Sequence, residues 1–116
     1  MKFKNMFSPI QIGPMTVKNR FVVPPMGNNF ANSDGTWSDE SVAYYGERAK
    51  GQFGLITIEA TVVHKGAKGG PKKPCLYDDN SIESLKKITD ACHAEGAKVS
   101  IQLQNAGPEG NAKNAG

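Results

Sequence analysis

The chain has 116 residues, 38% of them hydrophobic, which is typical of one globular domain rather than a disordered segment. Its 14 basic and 11 acidic residues are scattered and leave a net charge of +3, so the composition shows no bias toward nucleic acid. No stretch approaches the roughly 20 apolar residues of a membrane span, and the first residues show no signal-peptide pattern. We therefore expect a cytoplasmic protein with neither a membrane nor a nucleic-acid partner.

The cysteines and histidines form no recognisable site. Cys75 falls in a loop rich in proline and lysine, whereas Cys92 lies on the apolar side of a predicted helix, which argues against a disulfide. His64 and His93 are not at ligand spacing, so we expect no metal site. The same placement excludes a recognisable Ser-His-Asp or Cys-His catalytic arrangement.

The chain opens with a predicted hairpin and a short strand. Residues 8–20 alternate apolar and polar side chains around a Gly-Pro turn, which predicts a small accessory hairpin. Residues 21–23 are apolar, as in a strand covered on both faces. The strand ends at Pro24 and Pro25 because neither has an N–H to donate to a sheet.

A helix is predicted to follow over residues 38–51. Ser38 can cap it, acidic residues follow at its start, basic residues lie near its end, and Gly51 can terminate it. Gly46 inside this segment lowers its helix propensity. The expected apolar side comprises Val42, Tyr45 and Ala49.

A second strand and a second helix are predicted next. Residues 55–63 form an apolar strand, and a loop rich in lysine and glycine follows it. Asn80 and Glu83 resemble a capping box, which predicts a helix that ends at Gly96. Its expected apolar face comprises Ile82, Leu85, Ile88, Thr89 and Cys92.

A third strand over residues 98–104 completes a β-α-β-α-β order, and residues 105–116 read as a polar tail with no further packed element. The crossovers are long enough for parallel strands. Two architectures fit this order: a doubly wound sheet and the opening of a (β/α)₈ barrel. A barrel takes about 250 residues, so in that case the chain would be one part of an incomplete barrel.

Polar residues stand near the predicted carboxyl ends of two strands, where ligands gather in both architectures. Glu59 and Gln102 interrupt otherwise apolar strands, and burial without a partner would cost about 1–3 kcal/mol each. A bound polar ligand could be that partner. Equally, Glu59 could pair with a lysine or arginine and Gln102 with the backbone.

The basic loop between the second strand and the second helix matches neither phosphate-binding motif, GxGxxG or GxxxxGK[ST]. We expect a solvated loop in preference to a site for a phosphate-bearing substrate, and we expect His64 within it to be exposed. Its lysines are Lys65, Lys68, Lys72 and Lys73.

Three segments together resemble the Old Yellow Enzyme family of FMN-dependent NAD(P)H oxidoreductases. They read MFSPIQIGPMTVKNRFVVPPM, YYGERAKGQFGLITIEATVV and VSIQLQNAG, and they occur in the family's order and at its separations. The chain looks most like the branch that contains 2,4-dienoyl-CoA reductases and bile-acid enoate reductases. The resemblance covers nearly the whole chain, and three segments in register are more specific than any one.

The resemblance implies that residues 1–116 are the N-terminal segment of one flavin-binding (β/α)₈ barrel, an α/β fold, with no second domain within the chain. It implies that the hairpin closes the bottom of the barrel and that FMN lies across the carboxyl ends of the strands. The backbone from Pro24 to Gly27 would run along the flavin, Ala60 would pack beside it and Gln102 would hydrogen-bond its pyrimidine edge. The implied cofactor-binding residues are Pro24, Pro25, Met26, Gly27, Ala60 and Gln102.

The family's reaction implies an electron donor, NADH or NADPH, and a small unsaturated carbonyl substrate, which in this branch can be CoA-linked. Reduced FMN passes hydride to the β-carbon, and protein groups bind the carbonyl oxygen. Those groups and the phosphate-binding groups come from later strands, so no catalytic residue is expected here and the segment alone should be inactive. The resemblance also allows a downstream iron–sulfur cluster and an oligomer.

Two departures from the family pattern concern the flavin and substrate contacts. Many members carry threonine or cysteine where this chain has Gly27, so we expect an altered flavin reduction potential. The pattern Q-L-x-H-x-G-R ends here with Asn105 in place of histidine and Pro108 in place of arginine, although Gln102 is matched. The alternative to an enzyme segment is a truncated, non-catalytic module that associates with a partner completing the barrel.

Overall fold

The computed structural model describes residues 2–110. This part of the chain contains two small sheets and two α-helices. Strands β1 and β2 form an antiparallel hairpin, and β3, β4 and β5 form a parallel sheet with β4 in the middle. The predicted element order is therefore confirmed. The elements are β1 (Ile10–Ile12), β2 (Met15–Val17), β3 (Val22–Val23), α1 (Asp39–Lys50), β4 (Leu55–Val62), α2 (Ile82–Ala94) and β5 (Lys98–Gln104).

Helix α1 begins as its sequence predicts. The Ser38 hydroxyl accepts a hydrogen bond from the Ser41 N–H at 3.2 Å, which satisfies one of the free donors of the first turn. The helix ends at Lys50, but the left-handed residue that follows is Gln52, with φ +71°, rather than Gly51. Gly51 therefore marks the end of the helix without providing the left-handed turn.

Helix α2 starts later than its sequence predicts. A short 3₁₀ turn, Asp79–Ser81, precedes it, and the carboxylate of Asp78 accepts from the Asn80 N–H at 3.0 Å. The prediction that Asn80 caps the helix is wrong, because α2 follows Ser81, which makes no side-chain capping hydrogen bond, and Asp78 caps only the 3₁₀ turn before it. Ile82, 56% exposed, does not belong to the buried face either.

The hydrophobic core lies between the two helices and one face of the parallel sheet. Ile56 and Ile58 of β4 are fully buried on this face, whereas Thr57 lies on the other face and its hydroxyl is 2.7 Å from that of Ser100. The helices thus cover one side of the sheet. The buried core residues are Val23, Trp37, Tyr45, Ala49, Ile56, Ile58, Ile88, Cys92 and Ala97.

Gly46 lies at the packed side of α1 with room for a methyl group. A Cβ added there would lie 3.7 Å from the Cβ of Ala91, an ordinary van der Waals contact. We expect Gly46→Ala to stabilise the protein by about 0.5–1 kcal/mol, because alanine has the higher helix propensity and restricts the unfolded chain. Urea unfolding measures the change, and a loss of stability would show that the helices cannot accept the methyl group.

The hairpin packs at the amino-terminal end of the parallel sheet. The Lys18 ammonium donates to the Glu95 carbonyl at 2.7 Å, and the Asn19 amide donates to the Gln52 carbonyl at 2.7 Å. Both acceptors lie in the turns that lead into β4 and β5. The hairpin therefore covers the end of the sheet opposite to the one where residues 24–27 leave β3.

The cysteines are both buried free thiols. Burial raises the pKa of the Cys92 thiol to about 11, which makes it a poor nucleophile at neutral pH. Cys75 lies in the loop between β4 and α2, as predicted, and forms an isolated bridge with Val62 of β4. Of the predicted tail, residues 107–109 form one 3₁₀ turn and residues 111–116 lie outside the described part. No helix within residues 2–110 is both long and apolar enough to cross a membrane.

Candidate functional site

The carboxyl ends of the three parallel strands meet at one edge of the sheet, because the strands run in the same direction. This edge brings together the residues that the sequence resemblance singled out. Met26 is 45% exposed, Gly27 and Gln102 are exposed, and Ala60 is half-buried. The group at this edge consists of Pro24, Pro25, Met26 and Gly27 after β3, Ala60 on β4 and Gln102 on β5.

A register irregularity between β4 and β5 shapes this edge. Ile58 pairs with Ile101 and Thr61 with Leu103, so two residues, Glu59 and Ala60, lie opposite Gln102 alone. An extra residue of this kind bends a strand and re-aims its side chains. Glu59 is thereby turned toward α1, and the small Ala60 is left opposite Gln102.

Glu59 is completely buried and both its carboxyl oxygens have partners. One oxygen accepts from the backbone N–H of Asn28 at 3.2 Å, and the other accepts from the Tyr45 hydroxyl at 3.4 Å. The same hydroxyl accepts from the Glu59 N–H at 3.0 Å. The alternative in which Glu59 pairs directly with a lysine or arginine is not found, because a backbone N–H and a tyrosine on α1 take that place.

Burial raises the pKa of the Glu59 carboxyl above its usual value of 4.5. The Asn28 N–H and the positive charge of Lys73 oppose this change without cancelling it. An acid whose pKa is higher in the folded state stabilises the fold at low pH, and that contribution is lost as the pH rises through the folded-state pKa. The contribution of Glu59 to stability is therefore largest below pH 4.5 and falls toward neutral pH, because burial opposes ionisation more than the hydrogen bonds from Asn28 and Tyr45 favour it.

We expect Glu59→Gln to remove this pH dependence. Glutamine keeps an acceptor for the Asn28 N–H and stays neutral, so the free energy of unfolding of the parent should fall relative to the variant as the pH rises from below 4.5 to neutral. The fall is about 1.4 kcal/mol for each pH unit by which folding raises the pKa. Urea unfolding at several pH values measures it, with exposed Glu109→Gln as the control; parallel curves for parent and Glu59→Gln would contradict the assignment.

Lys73 reaches the space beside Gly27 that a side chain at position 27 would fill. A Cβ built on Gly27 would lie 3.0 Å from the Lys73 Nζ and 4.0 Å from the nearer carboxyl oxygen of Glu59. Lys73 itself is half-buried. A positive charge therefore borders the exposed backbone at the end of β3.

The basic loop is less solvated than its composition predicts. Lys65 and Lys72 are exposed, but Lys68 is only 4% exposed and its ammonium donates to the Ser33 carbonyl at 3.2 Å. The prediction of a solvated loop is wrong for Lys68, and for Lys73, because the loop folds back along β4. The end of the loop is fixed beside β4 by a hydrogen bond that the Val62 N–H donates to the Pro74 carbonyl at 2.9 Å. His64 is exposed, as predicted.

Two polar side chains, those of Asn28 and Gln102, lie near this edge. The Asn28 side-chain nitrogen is buried and has no hydrogen-bond partner within residues 2–110, although the amide oxygen accepts from the Phe30 N–H at 3.0 Å. The Gln102 amide is exposed. At the same edge Gly27 is exposed and carries no side chain, and the Lys73 ammonium lies beside it.

The features that sequence reasoning missed are the irregularity at Glu59, the contacts of Asn28 and Tyr45 with its carboxyl group, and the approach of Lys73. The only local signal of the irregularity is the pair Glu59-Ala60, a charged residue followed by alanine within an apolar strand. The contacts of Asn28, Tyr45 and Lys73 depend on elements distant in the chain, so no local pattern signals them.

Comparisons with known proteins place the chain in a family. The NADH:flavin oxidoreductase / NADH oxidase family matches residues 5–115. A 2-naphthoyl-CoA reductase in complex with 2-naphthoyl-CoA has 34% sequence identity and a TM-score of 0.90, over 97% of this chain and 17% of that chain. The Old Yellow Enzyme from Pichia sp. AKU4542 has 36% identity and a TM-score of 0.82, over 87% of this chain and 26% of that one.

Morphinone reductase in complex with tetrahydroNAD is similar as well, with 30% identity and a TM-score of 0.80 over 87% of this chain and 27% of that chain. The chain thus spans between about a sixth and just over a quarter of the length of these three structures. Its parallel β-α-β-α-β unit corresponds to the N-terminal part of the (β/α)₈ barrel in these structures. The doubly wound sheet, the other architecture that fits the sequence, is therefore excluded. The chain belongs to the NADH:flavin oxidoreductase / NADH oxidase family and resembles its Old Yellow Enzyme members.

Proposed function

We propose that this chain supplies the first part of the FMN-binding face of an ene-reductase. The observation that carries the proposal is the convergence of residues 24–27, Ala60 and Gln102 at one edge of the parallel sheet. In a (β/α)₈ barrel this edge is the one that carries the active site. The chain would contribute the surface under the flavin, and the rest of the barrel would contribute the groups that bind phosphate and substrate.

The residues present fit the ring system of FMN. The two prolines donate no N–H to a neighbouring strand, and the glycine after Met26 leaves the backbone uncovered, so a flat ring can approach it. The Gln102 amide can both donate and accept, as the pyrimidine edge of a flavin requires. Ala60 opposite Gln102 keeps the space between the strand ends free.

When bound, FMN supplies the redox chemistry: it takes an electron pair from a nicotinamide and gives it to a conjugated C=C bond. The residues of this chain would bind and orient the ring, and none of them would transfer a proton to the substrate. We propose NADH or NADPH as the donor, and the likeness to the morphinone reductase structure with tetrahydroNAD supports a nicotinamide.

For the substrate we propose an α,β-unsaturated carbonyl compound, with an enoyl-CoA-type thioester preferred. The likeness to a reductase in complex with 2-naphthoyl-CoA supports a CoA-linked substrate and agrees with the dienoyl-CoA and enoate reductase branch. A downstream iron–sulfur cluster, an oligomer, the absence of nucleic-acid partners and a cytoplasmic location stay predictions. The assignment of residues 1–116 to one flavin-binding segment without a second domain also stays a prediction.

The test is turnover by the complete barrel, compared with the 116-residue chain alone. We expect the complete protein to bind one equivalent of FMN and to oxidise NADH or NADPH when crotonyl-CoA or cyclohex-2-enone is added. The chain alone should show no turnover, because it lacks the groups that bind the carbonyl oxygen. Bound FMN with no reduction of any conjugated substrate would overturn the ene-reductase proposal, and turnover by the chain alone would overturn the division of roles.

A further inference from the structure

Lys73 has no part in the function proposed above, yet its ammonium occupies the place of a missing side chain. It lies 3.0 Å from where a Cβ of residue 27 would be, on the exposed backbone at the end of β3. A ligand that covers Gly27 therefore meets a positive charge. If residue 27 were larger than glycine, its own side chain would occupy the space in which the Lys73 ammonium lies.

The backbone at Lys73 is held beside β4. Its neighbour Pro74 accepts a hydrogen bond from the Val62 N–H of β4, and its own carbonyl accepts from the Cys75 thiol at 3.5 Å. The buried carboxyl of Glu59 lies on the far side of the same space, 4.0 Å from the Cβ position of residue 27. The hydrogen bonds hold the backbone of residues 73–74 beside β4, and the ammonium lies near enough to the Glu59 carboxyl to lower the pKa of that group.

We propose that Lys73 contacts the bound flavin beside Gly27 and that its charge favours the reduced, more negative form of FMN over the oxidised form. The inference rests on the proposed function. A positive charge in a partly buried site acts on a nearby ring more strongly than one in bulk water. Lys73 is thus a binding and potential-tuning residue, supplied from the loop after β4 instead of from position 27.

The experiment compares Lys73→Met with Lys72→Met in the complete, FMN-bound protein. The two lysines are adjacent, but Lys72 is exposed whereas Lys73 is half-buried beside Gly27. We expect Lys73→Met to weaken the binding of reduced FMN about tenfold relative to oxidised FMN. For a two-electron couple this is a fall of about 30 mV in the midpoint potential. Lys72→Met should leave the potential unchanged, and Lys73→Arg should retain most of the parent value because it keeps the charge.

A second pair of variants tests whether Gly27 and Lys73 share the space. Gly27→Thr brings a side chain to within 3.0 Å of the ammonium, which must move away. The effect of Lys73→Met on the potential should therefore be smaller in the Gly27→Thr protein than in the parent, a non-additivity typical of groups in contact. Additive effects would contradict a shared space.

The outcomes separate this inference from the proposed function. A parent protein that binds no FMN overturns both. A parent that binds FMN and reduces substrates, but whose potential is the same in Lys73→Met, overturns the role of Lys73 alone. Equal shifts in Lys73→Met and Lys72→Met also overturn it, because they would reflect general loss of positive charge. A shift confined to Lys73→Met and restored by Lys73→Arg supports the contact.

Discussion

Replacing Gly54 with alanine is expected to destabilise the protein by about 3 kcal/mol. A Cβ at this position would lie 2.6 Å from the side-chain oxygen of Asn19, 2.7 Å from a methyl carbon of Val17 and 2.9 Å from the Asn19 carbonyl oxygen. Val17 and Asn19 are buried, so neither can move away freely. The methyl group would push the hairpin off the amino-terminal end of the sheet.

Urea unfolding measures this effect, and Gly46→Ala is its matched control. The chemical change is identical, but Gly46 has room for a methyl group and Gly54 does not. We therefore expect opposite signs for the two variants. A Gly54→Ala protein as stable as the parent would show that the hairpin can shift without loss, and that it does not pack tightly at the bottom of the sheet.

Replacing Ala60 with leucine is expected to weaken FMN binding at least about 100-fold, a loss of about 2.7 kcal/mol in binding free energy. Ala60 lies opposite Gln102, and under the proposed function it packs beside the flavin ring. Three added carbon atoms would enter the space between the strand ends. The half-buried position leaves the side chain able to point outward, so folding should be affected much less than binding.

Fluorescence titration of FMN into the apoprotein measures the loss in the complete barrel. Ala43→Leu makes the same change at an exposed position on α1, remote from the strand ends, and should leave the FMN affinity unchanged. If Ala60→Leu bound FMN as tightly as the parent, Ala60 would not lie beside the ring.

The parts of the fold that depend on local sequence could be predicted well. Strand β5 spans the predicted residues 98–104, and Ser38 caps α1 as expected, since apolar patterning and a side chain near its own backbone decide both. The start of α2 was misplaced because Asp78, Asn80 and Ser81 are all residue types that favour a helix N-cap. The sequence alone does not show after which of these residues the helix begins.

The site was predictable only in part, and for a different reason. Residues 24–27, Ala60 and Gln102 were singled out by the resemblance to a family, and spacing alone left the role of Glu59 undecided. The irregularity opposite Gln102 exists only where β4 meets β5. The approach of Lys73 to Gly27 likewise depends on how the loop folds back, so local patterns cannot reveal either feature.

A crystal structure of the complete protein grown with FMN tests the central claim most directly. The account predicts that the flavin ring lies against the backbone of residues 24–27, with the Gln102 amide hydrogen-bonded to its pyrimidine edge and Ala60 beside it. A flavin bound elsewhere, or one whose ring contacts neither Gly27 nor Gln102, would contradict the claim that these strand ends form the floor of the flavin site.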